Sequence, residues 1–305
     1  MDRIEAMSVL LEVIRAGSFS AAARRLGIPP TSLARKVTDL ETHLGARLLH
    51  RTTRSLSLTD AGNAYVAAAR RIVEDVEEAE RIVAGEYAEP RGELVITAPT
   101  MFGRLHVVPI VAQFLAGYPR IDVRLLLTDT LVHLVDERVD VAVRLGELAD
   151  SSLVARRVGA MRTVVCASPA CLAAHGTPRT PQDVAALPTI AVGDIANRHH
   201  IWRFGGRPQD VVDVAIAPRM AVTSNEAAAA AAVLGVGLTR QRLYQVADHL
   251  ASGALRLCLD GFEPPPDPVH VLQTAREHLP LKARKFIEFA IPRLQEQLLA
   301  LDTAA

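Results

Sequence analysis

The chain has 305 residues, half of them hydrophobic and 22% charged, with 34 basic and 34 acidic side chains that cancel formally. That is the composition of a folded chain of about two domains, and it excludes a disordered one. A net charge of zero also counts, at first reading, against a nucleic-acid partner, because phosphate contacts need clustered cations.

The start, Met1 to Leu10, mixes acids with apolar residues and has no signal-peptide core. The longest small apolar run, Ala227 to Leu238, is well short of the ~20 residues that span a bilayer. The expectation is a soluble, cytoplasmic chain with no membrane partner. Cys166, Cys171 and Cys258 show no CxxC spacing and read as small buried hydrophobes, with no disulfide framework or zinc site. Only Lys36, Lys282 and Lys285 are lysines. Arginine supplies every other cation and can make planar bidentate contacts that lysine cannot.

The neutral total hides a pattern. From Ser20 to Leu58 there are seven cations and two acids, a local charge of +5. From Asp60 to Pro90 there are three cations and eight acids, a local charge of −5. A basic block followed at once by an acidic one is an organisation of the chain.

In the basic block, Ile4, Met7, Leu10, Leu11 and Ile14 define one helical face, closed by Gly17. Ser18 or Ser20 caps a second helix through Leu26, which Gly27 and Pro29-Pro30 end. Pro30 or Thr31 opens a third, with Leu33, Val37, Leu40 and Leu44 as its apolar stripe and Gly45 as its stop. Two short helices around a tight glycine turn, with small Ala23 and Gly27 where they approach, meet the requirements of a helix-turn-helix. The solvent side of the third helix presents Thr31, Ser32, Arg35, Lys36 and Asp39. Arg35 can reach guanine edges or phosphate, while Thr31 and Ser32 at the helix start suit phosphate. Three packed helices with a solvated basic face are the alternative. Residues 50–59 weigh against it: His50-Arg51-Thr52-Thr53-Arg54 precedes an alternating Ser55-Leu56-Ser57-Leu58-Thr59, a β-hairpin wing with arginines near its tip. Arginine on a thin projection suits a narrow minor groove or the flanking phosphates.

Asp60 to about Tyr87 contains no proline, and Ala61, Tyr65, Ala68, Ile72, Val76, Ala79 and Val83 recur close to a heptad seam. A long helix with so narrow a stripe needs a partner, either the rest of its own chain or another helix. Glu89-Pro90-Arg91-Gly92 is a hinge.

Beyond it, strands at 92–99, 121–127 and 139–145 alternate with helices at 104–118 and 131–137, which predicts a mostly parallel α/β sheet. A strand at 163–167, short helices at 169–175 and 181–186, a strand at 221–222, an alanine-rich helix at 227–234, a glycine turn at 235–238 back to a strand, a return strand at 269–272 and a closing helix at 281–299 follow. Ligands of such sheets bind beyond the carboxyl ends of the strands. Thr97, Thr100, Thr128 and Arg144 fall there, as do Thr223, Ser224 and Asn225 at a helix start. Arg144 in a structural ion pair, and Thr100 and Thr128 as plain turn residues, are the alternatives.

Three runs carry a family resemblance. They are Gly17-Ser18-Phe19-Ser20-Ala21-Ala22-Ala23-Arg24-Arg25-Leu26-Gly27, then Leu40 to Arg54, then Leu58-Thr59-x-Ala61-Gly62. Together they resemble the N-terminal signature of LysR-type transcriptional regulators. Asp140-Val141-Ala142-Val143-Arg144-Leu145-Gly146, Ser151 to Arg157 and Ala251-Ser252-Gly253-x-Leu255 extend the likeness over essentially the whole chain. One departure is Ala34, where the family often has a DNA-touching serine. Another is Thr239-Arg240-Gln241-Arg242, where an apolar stretch with proline is usual. Its arginines point to a small anionic or carbonyl-bearing effector, or to none.

The resemblance implies a winged helix-turn-helix over 1–59, a linker helix over 60–89 that pairs antiparallel with a second copy, and a two-lobed effector domain, similar to periplasmic binding proteins, over 90–305. Its first lobe would hold about 90–162 and 267–305, its second about 163–266. The implied partners are double-stranded promoter DNA, a small-molecule effector and further copies in a homodimer or homotetramer, with RNA polymerase left open. The DNA contacts would be Ser20, Thr31, Ser32, Arg35, Lys36, Arg51, Thr52 and Arg54. Thr97, Thr100, Thr128 and Asn225 match positions that line the family cleft; Arg144 and Thr223 join them from their place in the sheet.

An enzyme is the rival class. No GxSxG, HExxH, Walker loop or GxGxxG is present, and Gly235-x-Gly237 lacks the third glycine. His199-His200 has no acid or cysteine at ligand spacing. Neither cofactor nor metal is expected. A nucleoid-type protein that binds DNA without regard to sequence, and without effector, is the other alternative.

Overall fold

The computed structural model describes residues 1–51, 56–83, 89–130, 139–148, 153–193, 200–206, 208–274 and 279–304. The chain divides into two compact units, Met1–Glu89 and Pro90–Ala305. Among the described residues no single helix is long and apolar enough to cross a membrane.

The first unit is built on α1 (Arg3–Ala16), α2 (Phe19–Leu26) and α3 (Pro30–Leu44). Asp2 caps α1, and Ser18 caps α2 by accepting the Ala21 N–H at 3.1 Å. Gly27 turns the chain between α2 and α3 at φ 67°, a left-handed conformation that glycine adopts without steric cost. Leu10, Val13, Ala22, Leu33, Val37 and Leu40 are fully buried in one core. The α1 face differs from its sequence reading. Ala6, Val9 and Val13 are buried with Met7 and Leu10, while Leu11 and Ile14 are only half-buried. The reason is that α1 lies centrally and packs on α2, α3 and the linker helix at once.

Strands β1 (Leu49–Arg51) and β2 (Leu56–Leu58) pair antiparallel, Leu49 opposite Leu58, and form the wing. Helix α4 (Asp60–Val83) follows; the expected extension to residue 87 lies outside the described residues. Thr59 Oγ1 donates to the Arg47 carbonyl at 2.7 Å and accepts the Gly62 N–H at 2.9 Å, fixing the start of α4 against the wing. The chain's own core takes Gly62, Val66 and Ala69 of α4. The seam read from the sequence lies on the adjacent face. There Tyr65, Ala68 and Val76 are half-buried and Ile72 is 40% exposed.

The second unit holds two five-stranded sheets. In chain order come β3 (Gly92–Ala98), α5 (Thr100–Phe102), a π-helical turn (Gly103–Val107), α6 (Val108–Gly117), β4 (Ile121–Leu127), β5 (Val141–Leu145) and β6 (Leu153–Met161). The chain then crosses into β7 (Thr163–Ala167), α7 (Pro169–His175), a 3-10 turn (Pro181–Ala186), β8 (Thr189–Val192) and the hairpin β9 (His200–Phe204) and β10 (Val212–Ile216). Then follow β11 (Met220–Val222), α8 (Asn225–Val233), β12 (Leu238–Arg242), α9 (Leu243–Ala251) and β13 (Arg256–Cys258). It returns through β14 (Asp267–Thr274) and α10 (Leu281–Ala304). The sheet orders are β4-β3-β5-β14-β6 in the first lobe and β11-β8-β12-β7-β13 in the second.

Both sheets are mixed, which corrects the mostly parallel sheet expected. β3 runs parallel to β4 and β5, but β14 runs antiparallel to β5 and β6. β8 runs parallel to β11 and β12, whereas β7 opposes β12 and β13. The cause is the pair of short crossings between lobes, which bring the chain back against its earlier direction. Arg162 sits in one crossing and donates from Nε and Nη2 to the Glu263 carboxylate beside the other, both at 2.8 Å. Strands β6, β8, β9, β10 and β13 and helix α9 were not read from the sequence. The helical segment also begins at Thr100, earlier than Arg104. The helix expected at 131–137 lies outside the described residues.

Candidate nucleic-acid interface and effector cleft

The basic head is assembled by α3, whose buried stripe Leu33, Val37 and Leu40 turns its opposite side outward. Thr31 and Arg35 are exposed and Ser32 is half-buried. No side chain caps α3, and Pro30 fills its first position. Ser20 is exposed near the start of α2. Lys36 is already engaged, because its Nζ is ion-paired with Glu5 of α1. Arg25 likewise pairs with Glu12 of α1 at 3.0 Å. Acids on α1 therefore draw Lys36 and Arg25 out of the +5 block, whereas Arg24 and Arg35 stay exposed with no ion pair among the described residues. Arg51 ends β1; Thr52 and Arg54 lie outside the described residues.

In the second unit the segment that follows β3 reaches the second lobe, where its Arg104 meets Glu226 at the start of α8. Thr97 is fully buried at the end of β3, and its Oγ1 accepts from Arg144 Nη2 at 3.4 Å. Arg144 Nη1 donates to the Val143 carbonyl at 3.2 Å. Burial pushes the Arg144 pKa below the ordinary guanidinium value, and the charge of Asp129 partly offsets this. Asp129 Oδ1 accepts the Thr100 N–H at 3.1 Å. Thr128 donates its N–H to the Ala98 carbonyl at 3.0 Å, and its hydroxyl lies 2.8 Å from that of Thr130. Thr97, Thr100, Thr128 and Arg144 thus form one neighbourhood. Thr223 is exposed and Asn225 half-buried at the start of α8, which Ser224 caps through the Ala227 N–H at 3.3 Å.

Contacts that join the lobes were missing from the sequence reading. Arg104, in the π-helical turn, donates to Glu226 of α8 at 2.7 Å, with both side chains about half exposed. Phe102 and His106 of the first lobe meet Tyr244 of α9 edge-on, with ring centroids 5.3 and 5.7 Å apart. Arg242, at the end of β12, pairs with Asp267 at 2.9 Å. Asp129 carried one local signal, its position directly after Thr128 at a strand end; the partners of Arg104 and Tyr244 carried none. The three cysteines are buried, and burial pushes the Cys166 thiol up to about 12 and Cys258 up to about 11.

A winged helix-turn-helix with an apolar linker seam, joined to a two-lobed α/β domain, is the build of a ligand-responsive DNA-binding regulator. The comparisons with known proteins agree. Residues 4–63 match the bacterial regulatory helix-turn-helix protein, lysR family, and residues 88–295 match the LysR substrate binding domain. The chain belongs to the LysR family of transcriptional regulators. An HTH-type transcriptional regulator of Xanthomonas campestris pv. campestris (strain 8004) is 35% identical over 289 residues, covering 94% of this chain and 84% of the relative. The solved structure of CrgA, a LysR-type transcriptional regulator from Neisseria meningitidis, superposes with a TM-score of 0.61 at 30% identity, covering 95% of this chain and 98% of that one. Full-length LysG from Corynebacterium glutamicum, solved with bound effector Arg, gives a TM-score of 0.54 at 25% identity, covering 96% and 98%.

Proposed function

We propose that the chain binds promoter DNA in a sequence-specific manner as a homodimer or homotetramer. In this reading a small molecule between the lobes of the second unit alters promoter binding or bending. The observation that carries it is α3: Leu33, Val37 and Leu40 of its apolar stripe are fully buried, Leu44 at its C-terminal end is exposed, and Thr31 and Arg35 face outward at its N-terminal half. In a helix-turn-helix this is the half that meets base edges in the major groove. Thr31, Ser32 and Ser20 would contact phosphate and Arg35 a base edge or phosphate, with Lys36 first released from Glu5. Arg51, Thr52 and Arg54 of the wing would reach the minor groove or flanking phosphates. The exposed seam around Ile72 would meet the same seam of a second copy, and a two-fold protein then reads a two-fold site.

Thr97, Thr100, Thr128, Arg144, Thr223 and Asn225 would line the effector cleft. The bound effector of LysG supports this half of the reading. The lobe-joining pair Arg104–Glu226 supports a cleft whose opening depends on ligand, since an exposed ion pair is worth only about 0–1 kcal/mol and yields readily. The test is genome-wide mapping of bound DNA, followed by competition of a mapped site against random DNA at matched salt. The reading requires preference for the mapped site by about a thousandfold or more. Equal competition by random DNA supports the nucleoid-type alternative.

A further inference from the structure

The cations around the cleft are not equivalent. Arg104 contacts Glu226, Arg242 contacts Asp267, and Arg162 contacts Glu263. Arg144 is half-buried, yet among the described residues its guanidinium touches only neutral oxygens, Thr97 Oγ1 and the Val143 carbonyl. A guanidinium carries five N–H donors, so these two bonds leave donors open. A partly desolvated cation without a contacting anion is costly, and a carboxylate is its best complement, because the two planar groups can form paired charge-assisted hydrogen bonds. The acid that acts on Arg144 is Asp129, from a distance, while its Oδ1 is committed to the Thr100 N–H.

Resting on the effector reading above, we propose that the cleft takes a small carboxylate anion seated on the Arg144 guanidinium, with Asp129 as a built-in negative charge that opposes it. A neutral effector leaves the Arg144 donors without a charged partner. A cationic effector meets Arg144 as a like charge. Asp129 holds the start of the α5 segment through the Thr100 N–H, and its negative charge, which acts on Arg144, opposes an incoming anion. The site is thereby graded: the arginine sets the class of ligand and the aspartate sets how much of it is needed.

The experiment uses the full-length protein with benzoate and formate as carboxylate probes, benzamide as the neutral isostere of benzoate and benzylamine as the cation. Binding is read by calorimetry and by the shift in melting temperature. Saturable binding of benzoate and formate, with none of benzamide or benzylamine, is the expected result. R144Q is expected to lose about ten- to a hundredfold in benzoate affinity, as for one charge-assisted hydrogen-bonded contact. R144K, which keeps the charge, recovers part of it. D129N keeps the acceptor for the Thr100 N–H and removes the charge, so it is expected to bind benzoate several-fold more tightly. Should R144Q fail to fold, D129N carries the test alone, and unchanged or weaker binding overturns the proposal. Tighter binding of benzamide or benzylamine than of benzoate overturns it while leaving an effector site in place. Absence of saturable carboxylate binding also overturns it, and the promoter competition above still decides the regulator reading independently.

Discussion

The buried Glu41 carboxylate of α3 accepts the backbone N–H of Leu48 at 2.8 Å, and the same Oε1 accepts that of Leu49 at 3.1 Å. An acid in the middle of a basic block thus serves as a clamp that holds the first strand of the wing to the recognition helix. Replacing Glu41 by Ala strands two backbone donors, whose unmet desolvation costs about 1–3 kcal/mol each. Denaturant melts of E41A should fall by about that much, whereas E41Q, which keeps an acceptor, should recover a good part. A stability in E41A equal to that of the parent would refute the clamp.

Gly62 offers a second check on the junction between wing and linker. A Cβ built there lies 2.0 Å from the Leu48 carbonyl oxygen, a backbone atom that cannot move aside cheaply. Alanine in a helix is favoured over glycine by about 1 kcal/mol, whereas overpacking costs about 1–3 kcal/mol. The clash with the Leu48 backbone therefore outweighs the gain in helix propensity. G62A should destabilise the head and weaken DNA binding, and thermal melts give the sign directly.

The DNA-contact prediction separates roles. R35A should weaken the specific complex by about 5- to 150-fold and relax the preference at one base position, as for a lost base-edge contact. R51A and R54A should lower affinity on specific and random DNA alike and reduce the slope of log affinity against log salt by about one each. Gel shifts over a salt series report both quantities. Unchanged affinity in all three variants rules out the docking geometry.

His106 gives a pH signature. Burial depresses its pKa below the ordinary 6.5, with the hydrogen bond to Gln297 partly opposing. The unfolded chain therefore takes up this proton first as pH falls, and stability drops from about pH 6.5 downward, towards the depressed folded value. Thermal melts between about pH 7 and pH 5 should show a steeper decline in the parent than in His106→Gln. Identical slopes would mean that His106 is accessible to protons in the folded state.

The head was legible in the sequence because its determinants are local. Ser18, Gly27 and Pro29-Pro30 punctuate helices whose apolar spacing is complete within a few turns, and Leu56-Ser57-Leu58 alternates as a strand must. In the effector domain the segments with a continuous local apolar run or a clear helix start were legible, among them β3, β4, β5, β7, β14, α8 and α10. β6 was missed because Val154, Ala155, Arg156 and Arg157 are all exposed on a sheet edge, so no burial period marks it, and its partner β14 lies over a hundred residues later. The mixed sheets follow from those returns. The candidate cleft residues were placed at strand and helix ends from the sequence, but what they touch was not. Asp129 on the Thr100 N–H, Arg104 on Glu226 and Glu5 on Lys36 join positions with no periodic relation. The two faces of α4 show the same limit. The sequence displays one apolar stripe, whereas packing on α1 uses the neighbouring one, built from Gly62, Val66 and Ala69, whose small members leave no hydrophobic signal.

Those two stripes make α4 a shaft with a fixed phase. Its inner face is keyed to the head, and in the proposed dimer its outer face, around Ile72, would meet a second copy, so the rotation of one head relative to the other would be set by residue count. One residue inserted between Ala69 and Ile72 keeps both faces intact and turns them by about 100° against each other, while seven inserted residues restore the phase to within about 20°. Spacing of the half-sites that the protein accepts should follow that rotation, so the linker works as a ruler of angle as well as of distance.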